Sequence, residues 1–247
     1  VGKTALAHAI ASRLQTSRYM PDGICRVDLT SVRTPAQVIA TVCGVVGLEL
    51  DGQGTPMDEA IALLAHRTLM LVLDNCEHVV DAVSRFVEAL LDRAESVLVL
   101  ATSQEPLRIQ GEHLLRLNPL AVPISACDTG AADFGAVRML IERARQSIGR
   151  VFEPSRDELV DLVEICRQLD GIPLALEFAA SRMPMLGIAG VKSRLNDRLR
   201  LLTGGHRSAP SRHRSLQAAL EWSHQLLAPD TQKILHRLAI FPNGFSL

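Results

Sequence analysis

Two short apolar runs constrain this chain more than anything else in it. Leu69-Met70-Leu71-Val72-Leu73 carries no polar residue and ends in Asp74, and Val97-Leu98-Val99-Leu100-Ala101 ends in Thr102. A strand with one wet face alternates apolar and polar residues. A strand that is apolar throughout is buried on both faces, as in the middle of a parallel sheet with helices on either side. Helical patterns flank both runs. Residues 4–14 place Leu6, Ile10 and Leu14 four apart, residues 34–45 open with Thr34-Pro35, and residues 79–94 put Val83, Phe86, Val87, Leu90 and Leu91 on one side. A Thr cap with Pro in the first turn is a helix start. Residues 24–29 alternate like a strand, residues 47–55 are a Gly- and Asp-rich loop, residues 56–66 are helical, and 113–117 read as a further strand closed by Asn118-Pro119. Strands alternating with helices predict a parallel α/β sheet with right-handed crossovers, whose ligand site lies at the carboxyl ends of the strands.

Three chemically distinctive spots fall at that rim: Gly2-Lys3-Thr4, Asp74-Asn75 and Thr102-Ser103-Gln104. Gly-Lys-Thr followed by a helix is the end of the G-x-x-x-x-G-K-[ST] phosphate loop, in which backbone N–H groups and the lysine hold phosphates and the hydroxyl sits on Mg²⁺. The helix from Thr4 aims its positive end at the same place. The front of the loop lies ahead of Val1, so the chain reads as a fragment cut through it, expected to bind nucleotide poorly as it stands. An apolar strand ending in Asp about seventy residues after such a loop is the arrangement in which the carboxylate holds the metal. Lys3 is thus assigned to the phosphates, Thr4 and Asp74 to Mg²⁺. A hydrolytic enzyme also needs a group to orient the attacking water. Many phosphate-loop ATPases place a second carboxylate directly after the first. Here Asn75 stands there and cannot act as a base, and Glu77 is the nearest substitute, so hydrolysis is expected to be slow or conditional.

The rest of the chain is read as helical. A linker with Pro123, Gly130 and Gly135 covers 121–135. Helices follow at 137–148, 155–169, 173–183 and 188–202, with Ser155 and Glu158 forming a capping box. Gly204-Gly205 breaks the chain, 206–214 is a basic connector, and helices return at 215–227 and 230–240. The expected domains are therefore 1–120, 121–204 and 205–247. The formal charge of −1 hides an asymmetry: ten Lys and Arg face three Asp and Glu from Arg182 onward. A basic end suits nucleic acid, an acidic partner domain or phosphates. Aromatic residues make up 3% of the chain, too few for base-stacking platforms. The cysteines, Cys25, Cys43, Cys76, Cys127 and Cys166, form no C-x-x-C pair and read as inert thiols of a reducing cytoplasm. No apolar run reaches the roughly 18 residues of a membrane span.

Leu71-Val72-Leu73-Asp74-Asn75-Cys76-Glu77-His78, Ala101-Thr102-Ser103-Gln104-Glu105-Pro106-Leu107 and Leu169-Asp170-Gly171-Ile172-Pro173-Leu174-Ala175-Leu176-Glu177 together resemble bacterial STAND-class regulatory ATPases. These are the NB-ARC-like modules of AfsR/LuxR-type transcriptional regulators, related to plant resistance proteins and apoptotic ATPases. Two later blocks, 214–223 and 238–245, are similar to that family's entry into a winged-helix domain. The resemblance implies an α/β phosphate-loop NTPase sheet flanked by helices, followed by a helical bundle and the start of a winged-helix domain. It implies ATP/ADP and Mg²⁺ as ligands, and a switch that is closed with ADP and that opens and assembles, as a homo-oligomer, with ATP. Fused effector and sensor domains would lie outside the chain, DNA would be bound through one of them, and no membrane is involved. By the same resemblance Pro173 packs near the adenine, with Gly171 permitting the turn. The family's arginine after Thr-Ser, which senses the γ-phosphate, is replaced here by Gln104. Glutamine donates a hydrogen bond without charge, and a charge-assisted bond is roughly twice as strong. Discrimination of ATP from ADP should weaken, with Arg108, Arg207, Arg212 or Arg214 as candidate replacements. A regulatory switch ATPase is the first reading. An ADP-holding scaffold without turnover, an AAA+-like remodelling motor and a direct DNA reader are its competitors.

Overall fold

The computed structural model describes residues 2–15, 19–125, 130–148, 152–195, 224 and 229–238. Contacts divide the chain into two compact units, Gly2–Leu117 and the portion from Asn118 onward.

The first unit is α/β. Its elements run α1 (Lys3–Leu14), β1 (Ile24–Asp28), α2 (Pro35–Val46), α3 (Pro56–Leu64), β2 (Met70–Asp74), α4 (Val80–Leu91) and β3 (Leu98–Ala101). The three strands form a parallel sheet in the order β1-β2-β3. β2 is central and buried along its whole length, which is why its sequence shows no alternation. Leu71 and Leu73 belong to the larger core, together with Val27 of β1, Leu29 just after it, and the apolar sides of α2, α3 and α4, where Phe86 and Leu90 are fully buried. Met70 and Val72 face the other way, onto Ala7 and Ala11 of α1. Small residues at those two positions let α1 lie close against the sheet.

Local chemistry sets the helix ends. Thr34 caps α2 through a capping box with Gln37, and Pro35 follows at the first turn. Thr55 caps α3 by accepting the Asp58 N–H, again before a proline. α1 differs. Gly2 precedes it in the left-handed region (φ 74°), and no side chain caps its first turn.

Two expectations for this unit need correction. Residues 97–102 do not form a doubly buried strand: β3 spans Leu98–Ala101, it is an outer strand of the described sheet, and Leu98 is 52% exposed. Residues 113–117 do not form a strand either. Strands exist only where they find a hydrogen-bonding edge, and no described strand pairs with this segment. Its apolar character is real but outward, with Leu114 and Leu115 largely exposed.

The second unit is helical. After a 3-10 turn (Ala131–Asp133) come α5 (Gly135–Ile148), α6 (Arg156–Gln168) and α7 (Pro173–Arg194), and α8 (Pro229–Leu238) lies further along. The Ser155–Glu158 capping box forms as its spacing predicts. α5, α6 and α7 share a core that includes Leu140, Leu162, Ile165 and Phe178. α7 is continuous only in name: Gly187 is non-helical (φ 67°), so the segment is two helices meeting at a kink. That break falls in the gap the sequence leaves between 183 and 188. Beyond it, Lys192 Nζ donates to Asp161 Oδ1 at 2.7 Å, tying the far half of α7 to α6. By length and composition α7 is long and apolar enough to cross a membrane. Its apolar residues Leu176, Phe178, Ala179, Met183 and Val191 are, however, buried in the core of this unit. Apart from His224, the helix expected at 215–227 lies outside the described residues, as does most of the expected winged-helix region. α8 itself has no buried residue.

Candidate functional site

The rim of the sheet brings together residues that are far apart in sequence. Thr4, in the first turn of α1, donates from Oγ1 to Asp74 Oδ1 at 2.8 Å across a separation of 70 residues. Asp74 is the last residue of β2 and is 9% exposed. A carboxylate so enclosed needs hydrogen-bond donors or a cation. It has a second donor in Thr102, whose hydroxyl also binds Asp74 Oδ1. Thr102 in turn accepts the Asn75 N–H at 3.0 Å. Both side-chain donors thus fall on Oδ1, and Oδ2 accepts no hydrogen bond from a described residue.

Register explains why Thr102 is there. Leu73 pairs with Ala101, so the next residues on the two parallel strands, Asp74 and Thr102, leave the sheet side by side. Two backbone bonds lock that end: Thr102 N–H to Leu73 O at 2.9 Å and Cys76 N–H to Thr102 O at 2.9 Å. Thr102 is 6% exposed.

Lys3 sits one residue before Thr4, half-buried, and makes no hydrogen bond or ion pair with a described residue. α1 is a 12-residue helix. Its uncapped first N–H groups and the positive end of its dipole therefore lie beside Asp74, an arrangement that suits an anion accompanied by a cation. Among the described residues no group of three or more His, Cys, Asp or Glu is placed to hold a metal ion. A divalent ion here would rest on one carboxylate, one hydroxyl and groups of its ligand. That hard-oxygen set is how Mg²⁺ is commonly held together with phosphates.

Glu77 and Gln104, assigned separately from the sequence, meet: Gln104 Nε2 donates to Glu77 Oε1 at 3.3 Å. In this arrangement the two side chains are tied to each other. Arg108 lies in an exposed turn with φ 58°, and its N–H and that of Leu107 donate to the Glu112 carboxylate at 2.8 and 2.9 Å. Arg207, Arg212 and Arg214 lie outside the described residues. Pro173 belongs to the second unit, where it starts α7 after Asp170 and Gly171, both left-handed.

Two residues that sequence reasoning left unassigned belong to this rim. Thr102 was legible from its place after an apolar strand. His78 was not, because its partners are distant: its Nε2 lies 2.8 Å from Leu29 O and its Nδ1 3.3 Å from Asn75 Nδ2. Cys76, next to the site, is fully buried, and burial pushes its thiol up to about 12, with Glu77 and Asp74 adding to the rise. It is an inert packing group, as is Cys166, pushed up to about 12 by burial.

No protein-family model matches the chain. Two similar proteins, one from Mycobacterium bovis and one from Mycobacterium tuberculosis, each bear the name "Putative HTH-type transcriptional regulator". Both are 37% identical over all 247 residues of this chain, which spans 26% of their length. An uncharacterized protein of Mycobacterium tuberculosis is 32% identical over the same 247 residues, which make up 60% of it. The chain is thus homologous to a segment of larger HTH-type regulators.

Proposed function

We propose that this chain is the ATP/ADP-binding switch module of a cytoplasmic transcriptional regulator of the STAND class. In this reading Lys3 and the first N–H groups of α1 hold the phosphates, and Thr4 with Asp74 holds Mg²⁺. Nucleotide state sets how the other domains dock. The observation that carries the reading is the Thr4–Asp74 hydrogen bond. It joins the end of a phosphate-loop motif to the carboxylate that the same chemistry requires, 70 residues away. The Mg²⁺ would neutralise charge on the terminal phosphates and hold them against α1. Similarity to HTH-type regulators supports regulation as the setting, with DNA bound by another domain.

Asp74 supplies the first test. In the full-length protein, Asp74→Asn is expected to leave metal-free ATP binding nearly intact and to remove the gain in affinity that Mg²⁺ gives. Asparagine still accepts the Thr4 and Thr102 hydroxyls but brings no charge to the metal. Calorimetric titration with and without Mg²⁺ reads this directly, and a variant that keeps the full Mg²⁺ effect would rule Asp74 out as the metal ligand.

Asn75 beside Asp74 and the uncharged Gln104 favour a second reading, in which the module holds ADP as a structural ligand and does not turn over. Single-turnover hydrolysis separates the two, since a measurable rate argues against a pure scaffold.

A further inference from the structure

The residue just after β2 is held firmly. Asn75 has φ 67°, in the left-handed region that asparagine tolerates better than most side chains. It is 7% exposed, and its N–H is fixed to Thr102. Its side chain meets the imidazole of His78, with Asn75 Nδ2 3.3 Å from His78 Nδ1, while the far nitrogen of the ring, Nε2, lies 2.8 Å from Leu29 O. A carbonyl oxygen only accepts, so Nε2 carries the ring proton. In the neutral ring Nδ1 is then an acceptor, and the amide end that faces it is the NH₂. The ring therefore decides which way the Asn75 amide is turned. Its oxygen, Oδ1, takes no hydrogen bond from a described residue. The frame is closed on the other side as well, because Leu29 N–H donates to Asp74 O at 3.0 Å.

We propose that His78 is a positioning residue: held by Leu29 O, it turns the Asn75 amide so that Oδ1 stands beside Asp74 as a fixed acceptor for the water that attacks the terminal phosphate. This rests on the nucleotide reading above and adds a role that the phosphate-loop motif does not contain. The choice of atom matters chemically. An amide oxygen accepts from a water O–H and repels phosphate oxygens, which only accept. An NH₂ group in the same place would do the reverse and grip the phosphate. The amide oxygen orients the water without taking its proton. In the step it serves, the water oxygen bonds to the terminal phosphorus. The bond from that phosphorus to the bridging oxygen breaks, and its electron pair leaves on ADP. The protons of the water end on inorganic phosphate and in solvent. Orientation without a base gives slow turnover, which suits a switch.

The test has two arms. In the nucleotide-free full-length protein, ¹⁵N NMR of the His78 ring is expected to show the proton of the neutral ring on Nε2, with Nδ1 bare. A ring protonated at Nδ1 overturns the proposal whatever the protein binds. In the full-length protein with ATP and Mg²⁺, single-turnover hydrolysis is compared for the parent, His78→Gln, Asn75→Gly and the double variant. Glutamine can still donate to Leu29 O, and glycine suits the left-handed backbone. Each variant is expected to lose about tenfold to 100-fold in rate, with ATP affinity within about twofold of the parent. The double variant should be no slower than either single one, because both remove the same contact. If His78→Gln does not fold, Asn75→Gly decides by the same criteria. An unchanged rate, losses that multiply, or a parent without hydrolysis would overturn the proposal. Lys3→Ala affinities measured alongside separate the two claims. If one of those results appears while the parent binds ATP and Lys3→Ala does not, the nucleotide reading stands and only the role of His78 falls.

Discussion

Lys3→Ala is expected to weaken ATP and ADP binding by the full-length protein at least about 100-fold, or roughly 3 kcal/mol. An ammonium paired with phosphate is a charge-assisted contact in a partly enclosed site, and its loss leaves phosphate charge facing only backbone N–H groups. The fold should not notice. Lys3 makes no hydrogen bond or ion pair with a described residue, and α1 is held to the sheet by Ala7 and Ala11. Circular dichroism and the unfolding midpoint should therefore match the parent while affinity collapses, and that combination separates a binding lysine from a structural one. Affinity within a factor of about three of the parent would mean that the Gly2-Lys3-Thr4 turn binds no phosphate.

The largest stability effect is expected at Gly171. Gly171 has φ 63°, and a Cβ added there would lie 2.1 Å from Leu120 O and 3.0 Å from Val122 Cγ2. The backbone is locked in that place because Leu120 N–H donates to Gly171 O at 2.9 Å. Neither partner has a flexible tip that can swing away. Gly171→Ala combines left-handed strain of about 1–2 kcal/mol with a backbone clash that moves the Leu120–Val122 segment. A total loss of about 3 kcal/mol or more follows. Gly130→Ala, in the same unit, is the control. Gly130 is left-handed too, with φ 77° and ψ 24°, but its added Cβ meets only the carboxylate tip of Asp133, at 3.2 Å, which can swing away, so little more than the left-handed strain is incurred. Chemical denaturation of the two variants should differ by about 2 kcal/mol, and equal midpoints would contradict the close approach at Leu120. The glycine of the Asp-Gly-Ile-Pro stretch is thus explained by contacts inside the helical unit, whatever Pro173 does for a nucleotide.

The legible parts of this protein are those whose cause is local. The run that ends at Asp74 could be read as a buried strand because every residue in it is apolar. The caps at Thr34 and Ser155 could be read because donor and acceptor lie three residues apart. The break in α7 could be read because Gly187 interrupts the apolar spacing. What failed depended on neighbours. Residues 113–117 are as apolar as a strand, but pairing is decided by an edge elsewhere in the fold. Leu98 reads as core, yet it sits in an outer described strand. At the rim, Thr4, Asp74 and the junction between them followed from motif spacing. The bonds that give the rim its shape span 27 residues from Thr102 to Asn75 and 49 from His78 to Leu29, and no spacing rule contains them. The contact between Gln104 and Glu77 is of the same kind, since each was read alone and only the parallel register of β2 and β3 brings them together.

The central claim is that Thr4 and Asp74 share one metal–nucleotide pocket at the carboxyl end of β2. Mn²⁺ in place of Mg²⁺ tests it most directly, because its unpaired electrons broaden the NMR signals of nearby amides. With ADP and Mn²⁺ added to the full-length protein, the amides of Gly2, Lys3, Thr4, Asp74, Asn75 and Thr102 should broaden together. The effect should vanish when either ADP is left out or Asp74 is changed to Asn. Broadening that spares Thr4 and Asp74, or that centres on another part of the chain, would contradict the account.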